Sequence, residues 1–138
     1  AVTGISQGMT VEQLAVMDFS YAPPFSTAIH PIAQAANVLL NKLNGALDSI
    51  TPAEYVAGAA EGYTILDVAP AAAIPGAQHI NLTAVDGPLP DHPLDAKLLL
   101  VCTKGKRAYL LQNRLKFYGY TNTKVLEGGT FFTAFEEE

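Results

Sequence analysis

Cys102 is the only cysteine among 138 residues, and it directly follows the apolar run Leu98–Val101. Lys104, Lys106 and Arg107 crowd the next five positions, in a chain whose formal net charge is −5. A thiol becomes a nucleophile when its surroundings stabilise the thiolate. Neighbouring cations do this, and so do the unpaired N–H groups of a helix start, whose partial charges converge on one point. Gly105 lets the backbone curl so that amides face the sulfur. The pattern Cys-x-x-Gly-x-Arg therefore points to a nucleophilic thiol or a loop that holds an anion attached to it. A plainer alternative is a small buried hydrophobe beside a solvated basic cluster. The joint occurrence of this spacing with a strand-to-helix junction favours the reactive site.

That chemistry requires a strand before Cys102 and a helix after it. "KLLLVC" (Lys97–Cys102) is the most apolar strand candidate, and Leu110, Leu111 and Leu115 fall in helical register over Ala108–Phe117, closed by Tyr118-Gly119-Tyr120. A parallel strand that turns into a helix leaves its loop at the carboxyl edge of the sheet, where α/β proteins place their sites. "YTILDV" (Tyr63–Val68) and "QHINL" (Gln78–Leu82) read as further strands, "TKVLEGG" (Thr123–Gly129) as a last strand and turn, and "TFFTAFEEE" as a terminal helix or half-helix. Thr51, Pro52 and Glu54 form a helix start with capping-box spacing. Strands alternating with helices predict an α/β fold with a mainly parallel sheet and helices on both faces.

The first 48 residues read differently. Thr10 and Gln13 have capping-box spacing ahead of a short helix, "YAPPFS" (Tyr21–Ser26) is held extended by its prolines, and a longer helix starts at Pro31 and stops at Asn44-Gly45. Ala1–Met9 shows no period. These elements are too few to bury much on their own, so 1–48 is a short helical appendage to a domain at 49–138.

Composition narrows the function. About half the residues are hydrophobic and 15% are charged, as in a soluble globular protein. The acidic balance argues against nucleic acid as a partner, and no apolar run is long enough for a membrane span. One cysteine excludes an internal disulfide and an all-thiolate zinc site, and fits the reducing cytoplasm. His30, His79 and His92 lie far apart, without metal-ligand spacing to Cys102 or to one another, so no metal site is expected. Nor does the sequence give a reason to pair one of them with Cys102 as in a Cys–His protease. Asp67 ends a central strand near the site and could tune the loop, but helix-capping or loop hydrogen bonding is its expected role. The start has neither a signal-peptide pattern nor a methionine, and the chain reads as a piece of something longer.

"CTKGKR" resembles the active-site loop of rhodanese-like domains. "ITPAEYV", "ILDV", "IPGAQHINL" and "VLEGGTFFTAF" follow in that family's order, over about residues 49–138. The resemblance implies the rhodanese-like fold and a sulfurtransferase in which Cys102 takes a sulfane sulfur from a donor, becomes a persulfide and passes the sulfur to a thiol acceptor. It assigns Thr103, Lys104, Gly105, Lys106 and Arg107 to the cradle around the persulfide or the donor's anionic end. The loop has six residues from Cys102 to Arg107. Related phosphatase and arsenate-reductase loops have one more, which admits a tetrahedral oxyanion, so sulfur is favoured over phosphate. One departure stands out. Where the family has an arginine after Asp-Val and then a short helix, this chain has Ala69 and the short "PAAA", which removes a basic group and a wall of the pocket and opens the site to a larger donor. A catalytically inactive module for packing or partner binding is the rival reading.

"LAVMDFSYAPPFSTAIHPIAQAANVL" resembles the last stretch of the dimerisation domain of pyridine nucleotide–disulfide oxidoreductases of the coenzyme A-disulfide reductase and NADH oxidase type. That resemblance implies a bacterial flavoprotein parent with FAD, NAD(P)H and coenzyme A bound elsewhere, a possible homodimer, and Tyr21 and Phe25 at the subunit interface. Ordinary contact around a rigid loop is the simpler role for these two. The sequence has no Gly-x-Gly-x-x-Gly, so no cofactor is expected in this chain itself.

Overall fold

The structure is a computed structural model and describes residues 2–19, 24 and 29–135. Tyr21, Phe25 and Glu136–Glu138 lie outside the described residues. The chain divides into two compact units, Ala1–Ala46 and Leu47–Glu138.

The first unit contains three helices: α1 (Val2–Ser6), α2 (Val11–Ala15) and α3 (Pro31–Leu43). Helix α1 was not expected, because five residues make little more than one turn and show no period. It approaches α2 through Gly4, where an added Cβ would lie 2.7 Å from Leu14 Cδ2. Thr10 caps α2 with both halves of the box: its hydroxyl accepts from the Gln13 N–H, and the Gln13 side chain accepts from the Thr10 N–H. His30 Nδ1 accepts from the Ile32 N–H and starts α3, with Pro31 in the first turn. Among the described residues of this unit only Gly4, Ala33 and Ala36 are buried, while Val38, Leu39 and Leu43 stay exposed along α3.

The second unit is a five-stranded sheet in the order β1-β5-β4-β2-β3, with every neighbouring pair parallel. Its strands are β1 (Ser49–Ile50), β2 (Thr64–Asp67), β3 (Gln78–His79), β4 (Leu98–Val101) and β5 (Thr123–Leu126). Strand β4 is central, and all four of its residues are fully buried, as expected of a parallel strand covered on both faces. Leu98 and Leu100 pack with Leu66, Val125 and, from α5 (Lys106–Phe117), Leu111 and Leu115. Leu99 and Val101 face the other way, toward Ile50, Ile74, Leu126 and Tyr55 of α4 (Pro52–Val56). Each buried leucine contributes about 2 kcal/mol of transfer free energy. Helices therefore cover both faces of a parallel sheet.

Two elements differ from expectation. The strand expected at Gln78–Leu82 pairs only over Gln78–His79, and Ile80 adds one bond to the Asp67 carbonyl before Asn81 caps a 3-10 turn at Leu82–Ala84. The end of the chain forms only a 3-10 turn, Gly129–Phe131, and no longer helix is present through Phe135. Strand β1 escaped the sequence reading because it is two residues long.

Candidate active site at the Cys102 loop

Strand β4 ends at Val101, and α5 starts at Lys106 with Gly105 as its N-cap. Four residues, Cys102–Gly105, must therefore turn the chain from strand to helix. Gly105 makes the turn at φ +96°, a region closed to most side chains. Its N–H donates to Cys102 Sγ over 3.2 Å. The sulfur thus sits at the start of a twelve-residue helix and carries a hydrogen bond from its N-cap amide. An N–H donor at a helix start is the arrangement by which proteins bind anionic groups.

The loop is braced from behind. The Cys102 carbonyl accepts from the Thr130 N–H, and the Thr103 carbonyl accepts from the Phe131 N–H. Gly129 makes this approach possible, since a Cβ there would fall 1.6 Å from the Cys102 oxygen. These two bonds clamp the Cys102 loop onto the 3-10 turn that follows β5. In the sequence the "GG" pair reads only as a turn.

The remaining cradle residues diverge. Thr103, Lys104 and Lys106 are exposed, and the Lys104 Nζ lies 5.6 Å from the Phe131 ring centroid, a cation–π contact. Arg107 points its Nε at the Val68 carbonyl, over 2.7 Å. Cys102 itself is 3% exposed and belongs to the core cluster on the α5 face.

The shortened segment after β2 forms a tight loop around one carboxylate. Asp67 is buried and accepts from the amides of Ala69, Ala73 and Ile74. His79 Nε2 lies 2.9 Å from the Ala69 carbonyl. The register sets Asp67 level with both Val101 and His79. Val101 faces α4 whereas Cys102 faces α5. His79 therefore lies on the opposite face of the sheet from the thiol, which removes it as a partner for Cys102. Among the described residues, no group of three His, Cys, Asp or Glu side chains could hold a metal ion, and no helix is long and apolar enough to cross a membrane.

Three further residues support the site without any sequence signal. Gln112, fully buried on α5, donates to the carbonyls of Asp48 and Thr123 and accepts from the Asp48 N–H. Arg114 donates to the carbonyls of Leu82 and Val85. Tyr120 Oη accepts from the Leu89 N–H and donates to the His92 carbonyl. Together they fix α5, and so the loop that precedes it, against the sheet and its connections. A groove of about 850 Å³, lined in part by Tyr55, Tyr63, Ile74 and Phe135, includes no residue of the Cys102 loop.

Comparison with known proteins agrees with this geometry. The chain aligns over 96% of its length with a NAD-dependent persulfide reductase from A. fulgidus, at 33% identity and a TM-score of 0.78. It aligns over 95% with the reduced Bacillus anthracis CoADR-RHD, at 27% identity and a TM-score of 0.82. It spans 24% of the length of each of these proteins. A rhodanese-like domain protein from Staphylococcus aureus, at 24% identity and a TM-score of 0.56, shares the fold; 65% of this chain and 94% of that one are covered. No curated protein matches. The profile of the rhodanese-like domain matches residues 33–135, and with a five-stranded parallel sheet behind a Cys-x-x-Gly-x-Arg loop, this chain belongs to the rhodanese-like domain family.

Proposed function

We propose that the second unit is a sulfurtransferase that carries sulfur as a persulfide on Cys102. The observation that carries this reading is the N-cap amide of Gly105 hydrogen-bonded to Cys102 Sγ at a strand-to-helix turn. The Cys102 thiolate attacks the outer sulfur of a donor persulfide. The donor's S–S bond breaks, its inner sulfur leaves with the electron pair as a thiolate, and a new S–S bond forms on Cys102. An acceptor thiolate then takes the outer sulfur and regenerates the Cys102 thiolate. No net oxidation occurs in either step. The donor is a persulfide, a polysulfide or thiosulfate, and Thr103–Arg107 surround the transferred sulfur or the donor's anionic end.

The chain is further proposed to be part of a longer flavin-dependent persulfide or coenzyme A-disulfide reductase, with residues 1–48 as the end of its dimerisation domain and a homodimer as its assembly. Two facts support this: the chain spans about a quarter of a NAD-dependent persulfide reductase and of a CoADR-RHD, and the first unit leaves Val38, Leu39 and Leu43 exposed. The residues of this chain do not fit FAD or NAD(P)H, because the turn from β4 into a helix is the Cys102 loop and no Gly-x-Gly-x-x-Gly occurs. Those cofactors and coenzyme A belong to the rest of the parent enzyme, placed in the cytoplasm.

Mass spectrometry after incubation with polysulfide tests the reading. Cys102 is expected to gain the mass of one sulfur, reversed by an added thiol, and Cys102→Ser to gain none. The inactive module has one observation in its favour, the near-complete burial of Cys102. Absence of the adduct with every donor would establish it.

A further inference from the structure

Phe131 and Phe132 are 66% and 71% exposed, an unusual position for two adjacent phenylalanines. Their rings meet edge to face at 5.1 Å. They sit where the Phe131 N–H grips the Thr103 carbonyl, one residue from the candidate nucleophile. The Lys104 ammonium lies over the Phe131 ring, and Lys106 is exposed two residues further on. Among the described residues, no ion pair involves Lys104 or Lys106. An apolar pair with a cationic border thus stands beside the thiol of an acidic protein.

We infer that Phe131, Phe132 and Lys104 form a docking face for an acidic polypeptide that delivers the acceptor thiol to Cys102. The inference rests on the sulfurtransferase reading and names the partner of that site. Small molecules are held in concavities, and the described groove contains none of these three residues. Exposed aromatic side chains with a charged rim are characteristic of protein interfaces. The sign follows from charge complementarity: three cations within four positions attract carboxylates and repel a basic partner. The partner therefore places an apolar side chain on the phenylalanines and carboxylates against Lys104 and Lys106.

The test is an NMR titration of the ¹⁵N-labelled full chain with three probes. The first is a short peptide carrying a leucine and a cysteine between glutamates. The second has lysines in place of the glutamates. The third is adenosine monophosphate, a small planar anion. The glutamate peptide is expected to give saturable shifts at the amides of Lys104, Phe131 and Phe132 that weaken at raised salt. Phe131→Ser should weaken its binding by about tenfold. Lys104→Glu, at an exposed side chain, repeats the test should the serine variant not fold. No saturable shift, equal binding of the lysine peptide or the nucleotide, or unaltered binding in both variants would overturn the inference. Polysulfide loading of Cys102 is followed on the same sample. Loading without peptide binding sinks the docking face alone. Peptide binding without loading sinks the sulfurtransferase reading and leaves the docking face standing.

Discussion

Arg107 Nε donates to the Val68 carbonyl over 2.7 Å, joining the first turn of α5 to the residue after β2. The bond crosses from the loop that holds the thiol to the loop that would wall its pocket. Arg107→Ala removes this bond together with the guanidinium charge. Stability is expected to fall by about 1–2 kcal/mol, and the Michaelis constant for an anionic sulfur donor to rise. Arg107→Lys restores charge but not the directed Nε bond. It should recover donor affinity in part and leave stability low. Thermal unfolding beside steady-state kinetics measures both. Unchanged kinetics in the alanine variant would assign Arg107 to structure alone.

Asp67 holds three amides of the 69–74 loop on two oxygens. Asp67→Asn keeps the shape but turns one acceptor into a donor facing N–H groups. A loss of about 2 kcal/mol or more is expected, which lowers the melting temperature by several degrees in a domain of this size. Amide exchange should accelerate at Ala69, Ala73 and Ile74 before it does in β4. Uniform acceleration throughout the sheet would contradict a local role.

The same short loop bears on donor choice. It lacks the arginine and the helix that the family usually places there, so it offers little charge or cover to a small dianion. A bulky persulfide draws binding energy from its remote parts. At equal concentrations, a persulfide or polysulfide should load Cys102 faster than thiosulfate, as followed by mass. Faster loading by thiosulfate would mean that other residues replace the missing wall.

Gly129→Ala places a methyl group into the Cys102 carbonyl, which is backbone and cannot move aside. The position also has φ +52°, unfavourable for a side chain. About 3 kcal/mol or more of destabilisation is expected, with sulfur loading lost in whatever fraction remains folded. Gly76→Ala is the control, because its φ is also positive yet nothing lies near an added Cβ. It should cost only the strain of the backbone, about 1 kcal/mol.

Lys124 forms an ion pair with Asp48 at 2.9 Å, and that hydrogen bond raises the lysine above its ordinary range. A raised folded-state value stabilises the protein fully below the unfolded value, and the gain disappears as pH rises through the folded one. Both side chains are partly exposed, so the contribution is below about 1 kcal/mol. Lys124→Met should therefore lower stability slightly at neutral pH, and the gap to the parent protein should close above about pH 10.5. Denaturant midpoints at both pH values measure this.

The Cys102 loop could be read from the sequence because its determinants are neighbours: an apolar run, a glycine at the turn and a helix start lie within ten residues. The caps at Thr10 and Thr51 were legible for the same reason. Gln112 was not, because its partners at Asp48 lie 64 residues away. Gly129 could be seen as a turn residue, but its fit against Cys102 arises only when β5 lies beside β4. Arg107 shows the limit within a motif. Its position was evident, whereas its hold on Val68, 39 residues away, depends on the neighbouring strand.

Strand β1 has its partner in β5, with Ser49 opposite Val125 and Ile50 opposite Leu126. The first strand of the domain to leave the ribosome thus waits for the last. The turn that grips Cys102 and Thr103 lies later still, at Thr130 and Phe131. During synthesis, β2, β3 and β4 can associate while the thiol loop has no brace behind it. Completion of the Cys102 loop is therefore tied to synthesis of the segment 123–131, and a product truncated after Asn122 would carry the cysteine without the scaffold that holds its loop in place.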